Sequence, residues 1–221
     1  MRQKHPISRR GLLNASLALG IGTLGFGIAG SRAADGPPLT PRQTPGPFYP
    51  SRLPADADRD LTRVAGRAKR AAGRIVQVAG RVTDDSGRAL AGARVEIWQC
   101  DAFGYYHHPR DRGGRADPNF QGYGRMLLGE DGRYRFTTIR PVSYPGRAPH
   151  IHFAVSGPGV ERLTTQMYLA EHPQNARDFL YNAIRDPAAR RSVTVAFVQQ
   201  ADDRPPLGHF DLVLGRSLPA N

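Results

Sequence analysis

The sequence predicts an all-β protein, a single antiparallel β-sandwich with long loops and little helix. About seven short segments alternate apolar and polar residues, which is the period of a strand with one buried face. Turn-forming sequences separate these segments, as is typical of sandwich folds. Glycine (25) and proline (19) are abundant among the 221 residues, which favours a turn-rich β protein over a helical one.

The first 33 residues form a predicted export signal. Ser8-Arg9-Arg10-Gly11-Leu12-Leu13 precedes an apolar, Gly/Ala-rich run, and Ser31-Arg32-Ala33 ends it with small residues. A basic start, an apolar middle and a small-residue end mark a secretory signal, and the paired arginines indicate the twin-arginine type. The alternative, an uncleaved membrane anchor, is disfavoured because the run has few strong hydrophobes. We therefore expect export in the folded state, to the periplasm or beyond, with no stable membrane anchor after cleavage.

The rest of the chain divides into an arm and one domain. Residues 34–73 are predicted to be an irregular arm across a surface, because prolines and a glycine interrupt Thr44-Pro45-Gly46-Pro47-Phe48-Tyr49-Pro50. Residues 74–221 form the predicted β-sandwich domain. One helix is predicted, over 175–184. The predicted strands are 75–82, 94–99, 133–138, 150–156, 165–169, 193–197 and 210–214.

The charge and the cysteine count narrow the possible functions. The net charge of +12 could attract nucleic acid, an anionic surface or small acidic molecules. No basic helix, aromatic stacking platform or zinc finger accompanies that charge, so the sequence predicts no nucleic-acid partner. The single cysteine, Cys100, cannot form an internal disulfide and is interpreted as a structural thiol.

A His-x-His pair is the strongest chemical signal. On a strand, His150 and His152 point to the same face and can bind one metal ion. A phenolate is a hard anionic donor that a trivalent cation stabilises, so two tyrosines and two histidines suit ferric iron. The ferrous oxygenase triad uses a carboxylate instead. The candidate ligands of a non-haem Fe(III) ion are Tyr106, Tyr144, His150 and His152.

A series of motifs then occurs in a fixed order. They are Thr44-Pro45-Gly46-Pro47-Phe48, Gly80-Arg81-Val82-Thr83-Asp84-Asp85-Ser86-Gly87, Gly92-Ala93-Arg94-Val95-Glu96-Ile97-Trp98-Gln99, Gly104-Tyr105-Tyr106-His107-His108, Asp117-Pro118-Asn119-Phe120, Gly132-Arg133-Tyr134-Arg135-Phe136, Pro149-His150-Ile151-His152-Phe153 and Thr165-Gln166-Met167-Tyr168. Together they resemble the intradiol ring-cleavage dioxygenases, and the first resembles the start of protocatechuate 3,4-dioxygenase subunits. The resemblance implies an enzyme that uses Fe(III) and O2 to open a catecholic ring to a cis,cis-muconate-type product.

The resemblance also implies residue roles. Tyr106 matches the equatorial tyrosinate and Tyr144 the axial one, while His150 and His152 match the two histidine ligands. The expected catalytic residues are Tyr144, Arg147 and Gln166. Tyr144 would leave the metal and take a catechol proton. Arg147 would stabilise negative charge on the ring, with bracing of its loop as the alternative. Gln166 would orient Arg147, or would satisfy buried backbone groups.

Several alternatives stay open at this stage. Tyr105, beside Tyr106, is a second candidate ligand. Only five residues separate Tyr144 from His150, fewer than in well-known family members, so the pocket wall must differ and the substrate among small catechols stays open. The oligomeric state stays open too. A non-catalytic, transthyretin-like or carboxypeptidase-regulatory-like binding module is the main rival. A zinc hydrolase is a weaker one, because a third histidine or carboxylate is missing nearby.

Overall fold

The computed structural model of the chain describes residues 37–216, which form ten strands and three short helical segments. The strands are β1 Ile75–Asp84, β2 Arg94–Trp98, β3 Tyr123–Leu127, β4 Arg133–Ile139, β5 His150–Gly157, β6 Val160–Leu169, β7 Thr194–Val195, β8 Phe197–Val198, β9 Leu207–His209 and β10 Leu212–Leu214. The helical segments are a 3-10 helix at Pro173–Arg177, α1 at Phe179–Ala183 and α2 at Pro187–Ser192. The protein is therefore rich in β structure with little helix, as predicted.

The strands form two five-stranded sheets of mixed direction. In the first sheet β4 runs antiparallel to β1, while β9 and β10 pair parallel with successive parts of β1, and β8 joins β9. The second sheet has the order β3-β2-β5-β6-β7, and its β6–β7 pair is parallel. The prediction of purely antiparallel sheets was wrong in these three pairs. Parallel neighbours need a long crossover, and the segment carrying α1 and α2 supplies one between β6 and β7.

Alternation along β5 separates the apolar core from a second, polar face. Ile151, Phe153 and Val155 are fully buried in the main core cluster, which contains side chains from both sheets. Phe153 contacts Tyr134 of the first sheet, with 5.9 Å between ring centroids, and Phe210, with 4.9 Å. The intervening side chains of β5 point to the opposite face of the second sheet, where a separate cluster of aromatic side chains packs.

Most predicted strands coincide with observed ones, but β3, β9 and α2 were missed. In β3 the cause is Gly124, which weakens the strand pattern. A Cβ at this position would lie 2.5 Å from Leu61 Cδ1 and 2.7 Å from the Asp58 carbonyl oxygen. Glycine is therefore required where the arm packs on β3. Because glycine has no side chain, it interrupts the alternation by which a strand is predicted.

The arm, described over residues 37–73, joins both sheets without forming a strand or helix of its own. The Gln43 amide donates to the Thr164 carbonyl of β6 at 2.8 Å, and the Leu61 amide donates to the Thr137 carbonyl of β4 at 2.9 Å. The predicted signal at residues 1–33 lies outside the described residues. Within the described ones, every helix is too short or too polar to cross a bilayer.

One turn at the end of β1 gives a testable pH dependence. The buried Asp84 carboxylate accepts hydrogen bonds from the Ser86 hydroxyl at 2.6 Å and from the Ser86 and Arg88 amides, each at 3.0 Å. The Ser86 hydroxyl, followed by these amides and the Arg88 charge, lowers the pKa of Asp84 to about 2 although burial opposes the shift. Because the folded pKa lies below the unfolded value of about 3.9, this stabilisation is complete above pH 4 and is lost as the pH falls toward 2.

We therefore expect Asp84→Asn to lower the free energy of unfolding by about 1–2 kcal/mol at neutral pH. The difference from wild type should shrink as the pH falls from 4 toward 2, and urea unfolding at several pH values measures it. Glu130→Gln, at an exposed position, serves as the control. A difference that does not change with pH would contradict this account of Asp84.

Candidate metal centre

The His-x-His pair lies on β5 at the centre of the second sheet. His150 and His152 are 1% and 2% exposed, on the face opposite the main core. Their Nε2 atoms are 3.2 Å apart. The backbone of His152 pairs with Trp98 of β2 on one side and with Gln166 of β6 on the other. The strand that carries both histidines is therefore held within the sheet. This geometry brings two ring nitrogens to one point.

Both imidazoles are neutral and suited to binding a cation. Burial and then the Arg147 charge lower the pKa of His150 to about 4, and burial and His150 lower the pKa of His152 well below its ordinary value. His150 Nδ1 lies 2.7 Å from the Ala148 carbonyl oxygen, which can only accept, so Nδ1 carries the proton and Nε2 keeps its lone pair. His152 Nδ1 is buried without a hydrogen-bond partner.

Two tyrosines complete the cluster. The Tyr144 ring centroid is 5.5 Å from that of His150 and 5.7 Å from that of Tyr106, and the Tyr106 centroid is 6.5 Å from that of His152. The buried Tyr106 hydroxyl has no hydrogen-bond partner. Burial and the neighbouring Tyr144 raise the pKa of Tyr106 well above its ordinary value, so a phenolate here requires a cation beside it. An unpartnered buried hydroxyl facing neutral imidazoles fits a metal ligand.

Tyr105, the other candidate ligand, points elsewhere. Its ring lies against the loop at Gly113 and Gly114, where a Cβ on Gly114 would be 2.5 Å from Tyr105 Cζ. Tyr106 is 6% exposed and packs with the aromatic cluster. The structure thus brings Tyr106 to the histidines and leaves Tyr105 in a loop contact.

Arg147 is held beside the histidines by two partners. Its Nε donates to Asp178 Oδ2 at 2.9 Å, and its Nη2 donates to Gln166 Oε1. Its Nη1 lies 3.4 Å from His150 Nε2. Although burial opposes the shift, Asp178 raises the pKa of Arg147, which therefore stays charged. A fixed guanidinium next to the convergence point can stabilise negative charge there.

Asp178 is a functional candidate that sequence reasoning missed. The carboxylate is 1% exposed and accepts from Arg147 Nε, from the Ala148 amide at 2.8 Å, and from the Leu180 and Tyr181 amides at 3.0 Å. Burial raises its pKa, but these amides and Arg147 outweigh burial and hold the pKa of Asp178 below its ordinary value. An aspartate that begins a helix is a recognisable N-cap signal, but the predicted helix ran through this position. Its link to Arg147 has no signal in the sequence.

The arm and β2 form the walls of the site. Trp98 stacks on His152 with ring centroids 4.8 Å apart and planes within 2°, and Phe48 stacks on Tyr106 at 4.7 Å. Gly46, with φ of +70°, lies against His152, because a Cβ on it would be 3.3 Å from His152 Cε1. Gln166 Nε2 donates to the Thr44 carbonyl at 3.2 Å. Pattern analysis predicted an arm that lies across a surface, but not that this segment covers the histidines.

The donor set distinguishes the kinds of metal site that are possible. Among residues 37–216, no group of three or more histidine, cysteine, aspartate or glutamate side chains could hold a metal. Cys100 is buried, and burial raises its pKa to about 12, so it does not supply a thiolate. A metal on His150 and His152 would take its further protein ligands from Tyr106 and Tyr144, and that oxygen-rich, anionic set suits a hard trivalent ion.

Known proteins are similar to this chain in sequence and in fold. Residues 44–215 match the family described as Dioxygenase (Dioxygenase_C). The beta chain of protocatechuate 3,4-dioxygenase from Burkholderia cepacia is 36% identical over 76% of this chain and 76% of its own length. Catechol 1,2-dioxygenase from Candida albicans is 37% identical over an aligned stretch that covers 45% of this chain and 37% of that protein.

Solved structures of dioxygenases are similar to this chain in fold. The dioxygenase domain of a dioxygenase carbohydrate-binding fusion protein from Streptomyces sp. SirexAA-E is 28% identical with a TM-score of 0.62, over 81% of this chain and all of that one. Catechol 1,2-dioxygenase from Acinetobacter sp. ADP1 is 27% identical with a TM-score of 0.63, over 81% of this chain and 63% of its own. The family match and these relatives show that the chain belongs to the intradiol ring-cleavage dioxygenases.

Proposed function

We propose that the protein is a non-haem Fe(III) dioxygenase that cleaves a catechol between its two hydroxylated carbons. Its substrates are a small catecholic aromatic and O2, and its product is a cis,cis-muconate-type diacid. Both oxygen atoms of O2 enter the product, so the reaction consumes no external reductant. The proposal rests on family membership and on the convergence of two phenol and two imidazole rings at one buried point.

In this proposal Tyr106, Tyr144, His150 and His152 hold the iron. The ion would withdraw electron density from a bound catecholate and so open the ring to attack by O2. The unpartnered Tyr106 hydroxyl supports the assignment, because a buried polar atom without a partner is costly unless a function requires it.

The remaining residues act on the organic substrate. The Tyr144 oxygen accepts a catechol proton, a role that suits the less buried of the two tyrosines. Arg147 stabilises the negative charge that the deprotonated ring carries. Gln166 and Asp178 fix the Arg147 guanidinium through its Nη2 and Nε atoms, so the charge is in place before the substrate arrives.

We also infer how the two sheets are arranged and where the enzyme is located. The two sheets would form the predicted single sandwich, because one core cluster draws side chains from both. The paired Arg9 and Arg10 would direct a folded protein out of the cytoplasm, which suits a cofactor inserted before export. A non-catalytic binding module would need no such cluster of tyrosine, histidine and arginine.

Metal analysis and oxygen uptake test the proposal together. Protein purified from iron-replete cells should hold a single iron ion per chain and be red-brown from tyrosinate-to-iron charge transfer. It should consume O2 with at least one catechol and release a muconate-type product. Chelation should remove both colour and turnover, and ferric iron should restore them. Colourless, iron-free protein, or products cut beside the hydroxylated carbons, would contradict the proposal.

A further inference from the structure

The two histidines of the candidate metal centre are held in different ways. The His150 ring is oriented by a hydrogen bond, because its Nδ1 lies 2.7 Å from the Ala148 carbonyl oxygen. The buried Nδ1 of His152 has no hydrogen-bond partner within residues 37–216. A histidine that binds a metal through one ring nitrogen ordinarily has its ring oriented by a hydrogen bond at the other. The orientation of the His152 ring therefore has to come from packing.

Stacking on Trp98 restricts the plane of the His152 ring. The two ring planes lie within 2° of each other and their centroids are 4.8 Å apart, so the indole covers one face of the imidazole. The torsion about the Cβ–Cγ bond of a histidine is intrinsically broad, and turning it would tilt the ring out of this stack. The Nε2 lone pair lies in the ring plane. A restricted plane therefore restricts the direction in which Nε2 can donate to a cation.

Trp98 is in turn held by a buried carboxylate that the proposed chemistry does not use. The Tyr49 ring of the arm meets the indole at 89°, with 5.0 Å between ring centroids. The Tyr49 and Tyr123 hydroxyls both donate to Glu96 Oε1, at 2.9 and 2.5 Å. Glu96 is 4% exposed and lies two positions before Trp98 on β2, so both side chains lie on the same face of the sheet. The hydrogen bonds of Glu96 thus hold the aromatic rings that pack around the indole.

We propose that Trp98 is a positioning residue of the metal centre, which holds the His152 ring in the plane that allows Nε2 to bind the ion. The proposal rests on the proposed function, because it takes His152 as a ligand. The buried Trp98 Nε1 has no hydrogen-bond partner in the part of the chain that the structure describes, so the indole acts on His152 through its flat face. The shape of residue 98 should therefore matter more than its bulk.

Iron affinity in variants that differ in shape at residue 98 tests the proposal. Trp98→Leu keeps an apolar side chain without a flat face, and its apparent Kd for Fe(III) in competition with EDTA should rise about tenfold or more. Trp98→Phe keeps an aromatic face and should recover most of the affinity. The control is Phe210→Leu, which removes a fully buried ring that packs on Phe153 in the main core and should leave the Kd unchanged. An equal Kd in wild type and Trp98→Leu would overturn the proposal.

Nuclear magnetic resonance of the full chain without metal gives a readout that needs neither iron nor turnover. The ring current of the indole should shift the His152 ring protons upfield of those of His150, and each proton should give a single narrow signal, assigned with His152→Gln. In Trp98→Leu the upfield shift should disappear and the signals should broaden or double. The wild-type signals test the positioning even if the Trp98→Leu chain does not fold, which circular dichroism shows.

The two readouts separate this proposal from the proposed function. Shifted, single His152 signals that depend on Trp98, in a protein that binds no iron and cleaves no catechol, would support the positioning of the ring and contradict the dioxygenase activity. Unshifted or doubled His152 signals in a wild-type protein that binds iron and cleaves catechol would do the reverse.

Discussion

Tyr106→Phe should lose turnover by about a hundredfold or more, while its iron-free form stays as stable as iron-free wild type. The substitution removes only the hydroxyl oxygen, which is buried and makes no hydrogen bond within the protein. Removing an unsatisfied buried polar atom costs no folding energy and can even stabilise. If that oxygen is an iron ligand, iron content and the tyrosinate charge-transfer absorption should both fall. Metal analysis, visible spectroscopy and urea unfolding measure the three effects.

Tyr134→Phe is the matched control, because it makes the same chemical change in a different setting. The buried Tyr134 hydroxyl donates to the Phe210 carbonyl, so its loss leaves an acceptor unsatisfied. We expect this variant to lose about 1–3 kcal/mol of stability and to keep its iron and its turnover. Should Tyr106→Phe retain full iron and full activity, the ligand assignment would be wrong.

Asp178→Asn should lower kcat by about tenfold or more while iron content stays at the wild-type level. Among residues 37–216, this carboxylate is the only acidic group within 4 Å of the Arg147 guanidinium, and the pair is almost completely buried. Without its charge, Arg147 is held less firmly beside His150 and stabilises the transition state less. Asp178→Ala should in addition lower the free energy of unfolding by about 3–5 kcal/mol, because it leaves a buried charge without a partner.

Asp186→Asn provides the comparison for this effect. Asp186 caps α2 as Asp178 caps α1, accepting from two backbone amides, but it is exposed and makes no ion pair within the described chain. The Asp186→Asn substitution should cost only about 0.5–2 kcal/mol of stability and leave kcat unchanged. If Asp178→Asn behaved like Asp186→Asn, Asp178 would be a helix cap and not a positioning residue. If iron were lost together with kcat, its role would lie in assembling the metal site.

The parts of the molecule that follow from local periodicity could be predicted. Along β5, strict alternation places Ile151, Phe153 and Val155 in the core and the two histidines on the other face. That result follows from the geometry of a strand and needs no long-range information. The pattern did not predict that the fully buried Trp98 stacks flat on His152.

The parts that depend on distant residues meeting could not be predicted. Arg147 and Asp178 are 31 positions apart, and nothing in either segment indicates the other. Strand direction also lacks a local signal, because a parallel and an antiparallel strand show the same alternation. The division of the predicted helix at Asp178 shows the same limit, since the residue that ends the 3-10 helix is needed to bind the arginine.

The packing of the arm over His152 has a consequence for the order in which the chain folds and binds iron. The contacts of Gln43 and Thr44 with β6 join residues more than 120 positions apart, so they close among the longest loops in the chain. Because closing such a long loop costs more entropy than forming a local contact, we expect these contacts to form late in folding. An iron ion captured earlier would meet a half-open pocket exposed to solvent and competing chelators. We therefore expect secure metal retention only after the arm has docked, and an amino-terminal truncation past Gly46 to release iron faster even where the sheets remain intact.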